Sequence, residues 1–393
     1  MLNIKSQDSK NLAKEHYLGV QYHLNQVLDY YVNFFDILIG NKKYQDAKSI
    51  LYDSSELDPK TVNALGGKLC YGKKDKIAVS KIVNLFSDQK KYINTLFLNN
   101  QQGFLDFFTH LRLILKDLIV SEPKQLLELE SNLIKKFPFI INSKSSFEEP
   151  LRKLLLLGVF NYNKFSDKTG FAVDKNKVEN WERYDLCKAL KVNTCAYCNR
   201  IYTFTILNDN GQGIISPSLD HFFDKSARPL FALSFYNLIP SCNNCNSTLK
   251  GEKKFSLDKY VHPYLSGFED HASFNYVPLD TNAALGESLN LKVCIKPIKT
   301  SALKIQISNN IEMFKLNTVY TEHADYVQEI IKKKVISNNR YLDILRFETY
   351  KELNLSLEDA YRLAFGNYIN EKDYYKRPLA KLTKDIAKQL GII

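Results

Sequence analysis

Four cysteines fall as two C-x-x-C pairs, Cys195 with Cys198 and Cys242 with Cys245. Thiolates at that spacing can converge on one tetrahedral Zn²⁺ at about 2.3 Å each, and the ion would tie both pairs into one scaffold. The stretch between the pairs, 199–241, is longer than in a minimal zinc ribbon, so an insertion stands there. It carries Asp220-His221, and Asn246 follows the last cysteine directly. A histidine at the end of a strand beside an aspartate, facing an asparagine on a following helix, is a frame for hydrolysing phosphodiesters. His221 would take a proton from water. Asp220 offers a hard oxygen to Mg²⁺ or Mn²⁺, and Asn246 adds a carbonyl oxygen without further charge. A zinc-held turn at Cys245 would fix Asn246 in place, so the structural and catalytic ions have separate tasks.

The elements that must position these residues follow from pattern. Leu24, Val27, Leu28, Tyr31, Phe34, Phe35 and Leu38 recur at helical spacing, and Gly40 offers a stop. Further helical patterns are expected near Ile77 to Phe86, after a turn-rich stretch at Asp53 to Lys60, and over Phe104 to Val120, ended by Pro123. Pro123, Pro138 and Pro150, with the Asn-Ser-Lys-Ser-Ser tract at 142–146, mark the expected boundary. Ile201 to Ile206 is β-branched and aromatic, and Asn208 to Gly211 is turn chemistry before IISPSL, which predicts a β-hairpin. A short helix is expected after Ser241, capped by Ser or Asn and ended at Gly251. Strands are predicted over Leu289 to Ile295 and Leu303 to Ile307, then a helix from about Thr321 to Ile336.

With 393 residues, more than one domain is the prior. At 45% hydrophobic and 25% charged, the composition excludes collagen-like and wholly disordered chains. The 54 Lys plus Arg against 43 Asp plus Glu leave a net +11, which favours polyanionic partners. No basic segment followed by an apolar run opens the chain, and Asp106, His110, Arg112, Lys116 and Asp117 interrupt Phe104 to Val120. A cytoplasmic protein with no membrane span is therefore expected. No phosphate-binding glycine loop occurs, so any nucleotide-driven step belongs to another chain.

Cys195-Ala-Tyr-Cys-Asn-Arg200, Leu219-Asp-His-Phe-Phe-Asp-Lys-Ser226 and the run Leu233 to Gly251 resemble bacterial HNH endonucleases of the ββα-metal fold, in the zinc-containing branch. The resemblance covers roughly 180–275. It implies a central ββα-metal nuclease domain, drawn at 151–280; the hydrophobic patterns add a helical region at 1–150 and short strands then helices at 281–393, for an α+β, mainly helical chain. It implies His221 as general base, Asp220 and Asn246 as ligands of a catalytic Mg²⁺ or Mn²⁺, and Asn237 as the brace of the loop holding His221. DNA is the implied substrate, although the residues do not distinguish DNA from RNA. Defence against phage or foreign DNA, beside a separate ATPase or sensor protein, is the implied setting, and a homo-oligomer would supply a second cut. Asn stands at 246 where the motif's third letter is His, and Asp224 stands where relatives often carry Pro.

Plainer readings accompany these. The alternative function is a zinc-stabilised nucleic-acid or protein interaction module without hydrolysis. Lys250 shares a predicted helix face with Asn246 and, with Arg200, is a candidate phosphate contact, against the ordinary fate of a solvated cation. Asn237 can cross-link loop backbone as donor and acceptor. Cys70, Cys187 and Cys294 read as ordinary buried thiols. Tyr197 and Tyr236 read as core, and His262 as a possible support for the site.

Overall fold

A computed structural model describes residues 1–41, 100–167, 170–175 and 179–393; the patterns at Asp53 to Lys60 and Ile77 to Phe86, and Cys70, lie outside them. The chain is α+β, helical for the most part, with four small two-stranded sheets among the described residues. None of the described helices is long and apolar enough to cross a membrane. Its contacts divide into two compact units, one of Asp8–Ala189 with Phe223–Leu238, the other of Met1–Gln7, Leu190–Phe222 and Ile239–Ile393. This division interleaves the chain, whereas the sequence pattern predicts three consecutive regions, 1–150, 151–280 and 281–393. The Pro123 to Pro150 stretch, expected as a boundary, lies inside the first unit.

That unit is built on helix α1, Ser9–Asn41. Val20, Leu24, Val27, Leu28, Tyr31 and Phe35 fall on its buried stripe. Tyr31 and Phe35 stack on Phe108 at 4.9 and 5.5 Å, a residue of α2, Gln101–Leu113. The helix predicted over Phe104 to Val120 breaks at Ile114, and α3 resumes at Leu115–Val120. Pro123 then opens α4, Pro123–Lys136, at a position where its missing N–H costs nothing, and Glu122 with Gln125 completes a capping box. Strand β1, Phe171–Ala172, pairs with β2, Asn180–Trp181. Buried His16 accepts from Trp181 Nε1 at 3.0 Å and donates to Leu233 O at 2.9 Å. Burial pushes its pKa down to about 4, so it stays neutral.

The other unit contains the cysteines. Strand β3, Ile206–Leu207, pairs with β4, Gly213–Ile215, across a bulge, which shortens the expected hairpin but keeps its turn. Strand β5, Ser218–His221, pairs with β6, Leu238–Ser241, and α5, Asn244–Lys250, follows with π-type winding. No side chain caps α5; Ser241 Oγ instead donates to Ser218 O, at 3.3 Å. Gly251, at φ +52°, ends it as expected.

Strand β7, Ala272–Pro278, pairs in register with β8, Leu291–Pro297. The strand predicted over Leu303 to Ile307 is helical instead, the start of α6, Lys304–Met313. Its local alternation yields to a longer pattern, in which Ile307, Asn310, Ile311 and Phe314 are buried at helical spacing. Helices α7, Leu316–Thr321, and α8, Ala324–Ser337, come next; α9, Leu357–Phe365, and α10, Ala380–Gln389, lead to the C-terminus. Side chains cover both edges of the ribbon. Phe274 N and Tyr276 N donate to Asp385 and Gln389 of α10 at 2.9 and 3.2 Å. Ile295 N and Val293 N donate to Asn317 and Thr321 of α7 at 2.8 and 3.4 Å.

Candidate metal centre and the Asp220 site

Cys195, Cys198, Cys242 and Cys245 are buried, unoxidised, and hold their sulfurs within 4.8 Å of one another. Cys198 and Cys242 sulfurs stand 4.0 Å apart. A tetrahedral Zn–S shell with bonds of about 2.3 Å has sulfurs about 3.8 Å apart, so the quartet is of the right size and donor chemistry for zinc. Burial pushes the Cys195 thiol well up, which disfavours an unbalanced thiolate there; a divalent cation would supply the balance.

Local sequence builds this shell. Asn199 follows the first pair at φ +50°, a conformation asparagine tolerates, and its N–H returns to Cys195 O at 2.8 Å. Its buried side chain bonds Thr194, Tyr374 O and Arg377 O through Nδ2, and receives Ala380 N at Oδ1. The chain end leading into α10 is thus fastened to the first cysteine turn. At the second pair, Asn246 N donates to Cys242 O at 3.0 Å. Tyr320 OH donates to Cys198 O at 2.5 Å.

Asp220 lies beside this shell, 3% exposed, with both oxygens engaged. Tyr197 OH, from between the first two cysteines, donates to Oδ2 at 2.5 Å. Lys250 Nζ donates to Oδ1 at 2.9 Å and to His221 O at 2.8 Å. Burial and the adjacent Asp220 carboxylate hold the Tyr197 phenol well above its usual pKa, so it remains a donor. Its ring stacks on Phe314 at 4.6 Å. The Lys250 ammonium lies 4.9 Å from the centre of the Phe255 ring. His221 ends β5 with a 9% exposed surface.

Lys250 is therefore buried against Asp220 and not a solvated cation. Gly251 N reaches back to Asn246 O, an i→i+5 bond, and Lys250, the last residue of this wider turn, is buried. Asn246 is half-buried on that same turn. Arg200 Nε donates to His323 Nε2 at 3.0 Å. Burial and the Arg200 charge lower the His323 pKa, as suits an acceptor. Asp224 Oδ1 accepts from Ala227 N at 2.8 Å and from Ser226 Oγ, closing its own turn.

In the first unit, Asn237 is fully buried and accepts from Phe223 N at 2.7 Å. Its amide donates to Phe223 O and Phe231 O at 3.1 and 2.9 Å. Phe223 comes two residues after His221, so Asn237 cross-links the loop that leaves the histidine. His262 packs on Phe222 at 4.2 Å, and burial pushes its pKa down to about 3. Cys187 is a buried thiol pushed up to about 12, and Cys294 is half-buried on β8.

No protein-family model matches the chain, no curated protein matches it in sequence, and no solved structure matches it in fold.

Proposed function

We propose that this protein is a divalent-cation-dependent endonuclease of the HNH, ββα-metal type that hydrolyses phosphodiester bonds in DNA, with structural zinc in its cysteine quartet. The observation that carries the proposal is one of placement. Asp220 and His221 end a strand whose partner, β6, runs through Cys242 and Cys245 into the turn bearing Asn246. The cation, held by Asp220 and Asn246, would neutralise charge on the scissile phosphate and the leaving 3′ oxygen. His221 takes the proton of the attacking water, leaving a 5′ phosphate. Asn237 fixes the loop beyond the base, and Tyr197 orients the carboxylate. Action against phage or other foreign DNA, beside a separate ATPase or sensor protein, completes the proposal and rests on the sequence resemblance.

The test is zinc-loaded protein with supercoiled plasmid and Mg²⁺ or Mn²⁺. His221→Ala is expected to lose about 10²- to 10⁴-fold in nicking rate with unchanged zinc content; nicking that survives the substitution removes His221 from the mechanism. The second reading, a zinc-stabilised interaction module, is favoured by one observation: protein groups already hold both oxygens of Asp220. It predicts nucleic-acid or protein binding with no cation-dependent turnover.

A further inference from the structure

Lys250 and Asp220 form an ion pair in which each side chain is 3% exposed. A carboxylate so buried is costly to leave unpaired, and the ammonium meets that need. It touches the same aspartate to which the proposed function assigns a cation, and the inference rests on that reading. We propose that Lys250 is a resident counter-ion which a divalent cation must displace, so that loading of the site and release of the lysine are one event.

The geometry sets the two cations against each other. Mg²⁺ and Mn²⁺ take carboxylate oxygens at about 2.1 Å. With the ammonium 2.9 Å from Oδ1, an ion on that oxygen would stand within about 5 Å of it, where little water screens their repulsion. Tyr197 has no such conflict, because a neutral hydroxyl on Oδ2 is compatible with a cation on Oδ1. Release of the lysine would break its bonds to Asp220 and His221 O but would not interrupt the middle of a helix. Lys250 is the last residue of α5, Gly251 follows at φ +52°, and residues 252–254 are exposed. Outside the site, the ammonium can meet a phosphate, the role its sequence position suggested.

Two measurements on the full-length, zinc-loaded chain test this. Mn²⁺ binding is titrated by electron paramagnetic resonance for wild type, Lys250→Met and the double variant Asp220→Asn, Lys250→Met. Acetylation of Lys250 by acetic anhydride is mapped by mass spectrometry with and without saturating Mn²⁺. Lys250→Met is expected to bind Mn²⁺ at least tenfold more tightly than wild type, and the double variant to lose the site. In wild type, Lys250 is expected to pass from protected to labelled when the ion binds. Binding that is no tighter in Lys250→Met, or Mn²⁺ bound while Lys250 stays protected, overturns the displacement and leaves the endonuclease proposal standing. If neither protein binds Mn²⁺, both fail together. Should Lys250→Met not fold, the labelling of wild type decides alone.

Discussion

Tyr197 sits in the sequence between two cysteines of the quartet and reads there as core, since nothing in its spacing reveals a partner 23 residues ahead. Its hydroxyl nevertheless ties the first cysteine turn to Asp220. Tyr197→Phe keeps the ring on Phe314 and deletes one hydrogen bond to a buried carboxylate, a loss of about 1.5 to 3 kcal/mol. Urea denaturation followed by circular dichroism should report that drop at full zinc occupancy, whereas an unchanged midpoint would make the contact energetically idle. His16 gives a second residue-scale expectation, this time in pH. Its folded pKa, lowered to about 4 by burial, lies below the ordinary 6.5, so the unfolded chain takes up the proton first as pH falls. The contribution of His16 to stability is complete above pH 6.5 and is lost toward pH 4, about 2 kcal/mol of it by pH 5. Trp181, the sole tryptophan, donates to His16 and so gives the fluorescence readout. His16→Gln should flatten the slope between pH 7 and 5, and an equal slope in both proteins would assign the pH dependence elsewhere.

Among the elements, those with a long period were legible and those decided by distant contacts were not. The stripe from Leu24 to Phe35 specifies α1 because the same face is buried turn after turn. Leu303 to Ile307 misleads over five residues, since a helix and a strand can share so short a pattern. The cysteine spacing disclosed a quartet that could hold a metal ion, but neither the wider turn of α5 nor the partner of Lys250, 30 residues back at Asp220, leaves a mark in residue types. Removing zinc should act on elements in proportion to their attachment to that quartet. Chelation, or Cys242→Ser, is expected to speed amide hydrogen exchange across 194–203 and at Leu379 and Ala380, whose N–H groups bond Asn199. Helices α1 and α2 should keep their protection. Uniform loss across the chain would instead mean that the quartet governs both units alike.

At the scale of the whole molecule, the sequence conveys charge and composition but not the interleaved division. Residues 223–238 count with the helical unit although they lie between the two cysteine pairs, and only three-dimensional contacts reveal it. The net +11 makes a global prediction. Binding to a DNA duplex in EDTA-free, Mg²⁺-free buffer should weaken steeply with salt, by about 10³-fold or more between 50 and 200 mM if six or more phosphates are neutralised. Affinity indifferent to salt in a fluorescence-anisotropy titration would remove the polyanion from the partners. The flanks of the β7–β8 ribbon set a further condition on any partner. A visiting strand zips onto a sheet through unspent main-chain donors along its margin, and here Phe274, Tyr276, Val293 and Ile295 have already given theirs to α10 and α7. Fibril-like stacking and strand exchange are therefore obstructed at this sheet, and a companion protein has to recognise it by side-chain shape and charge.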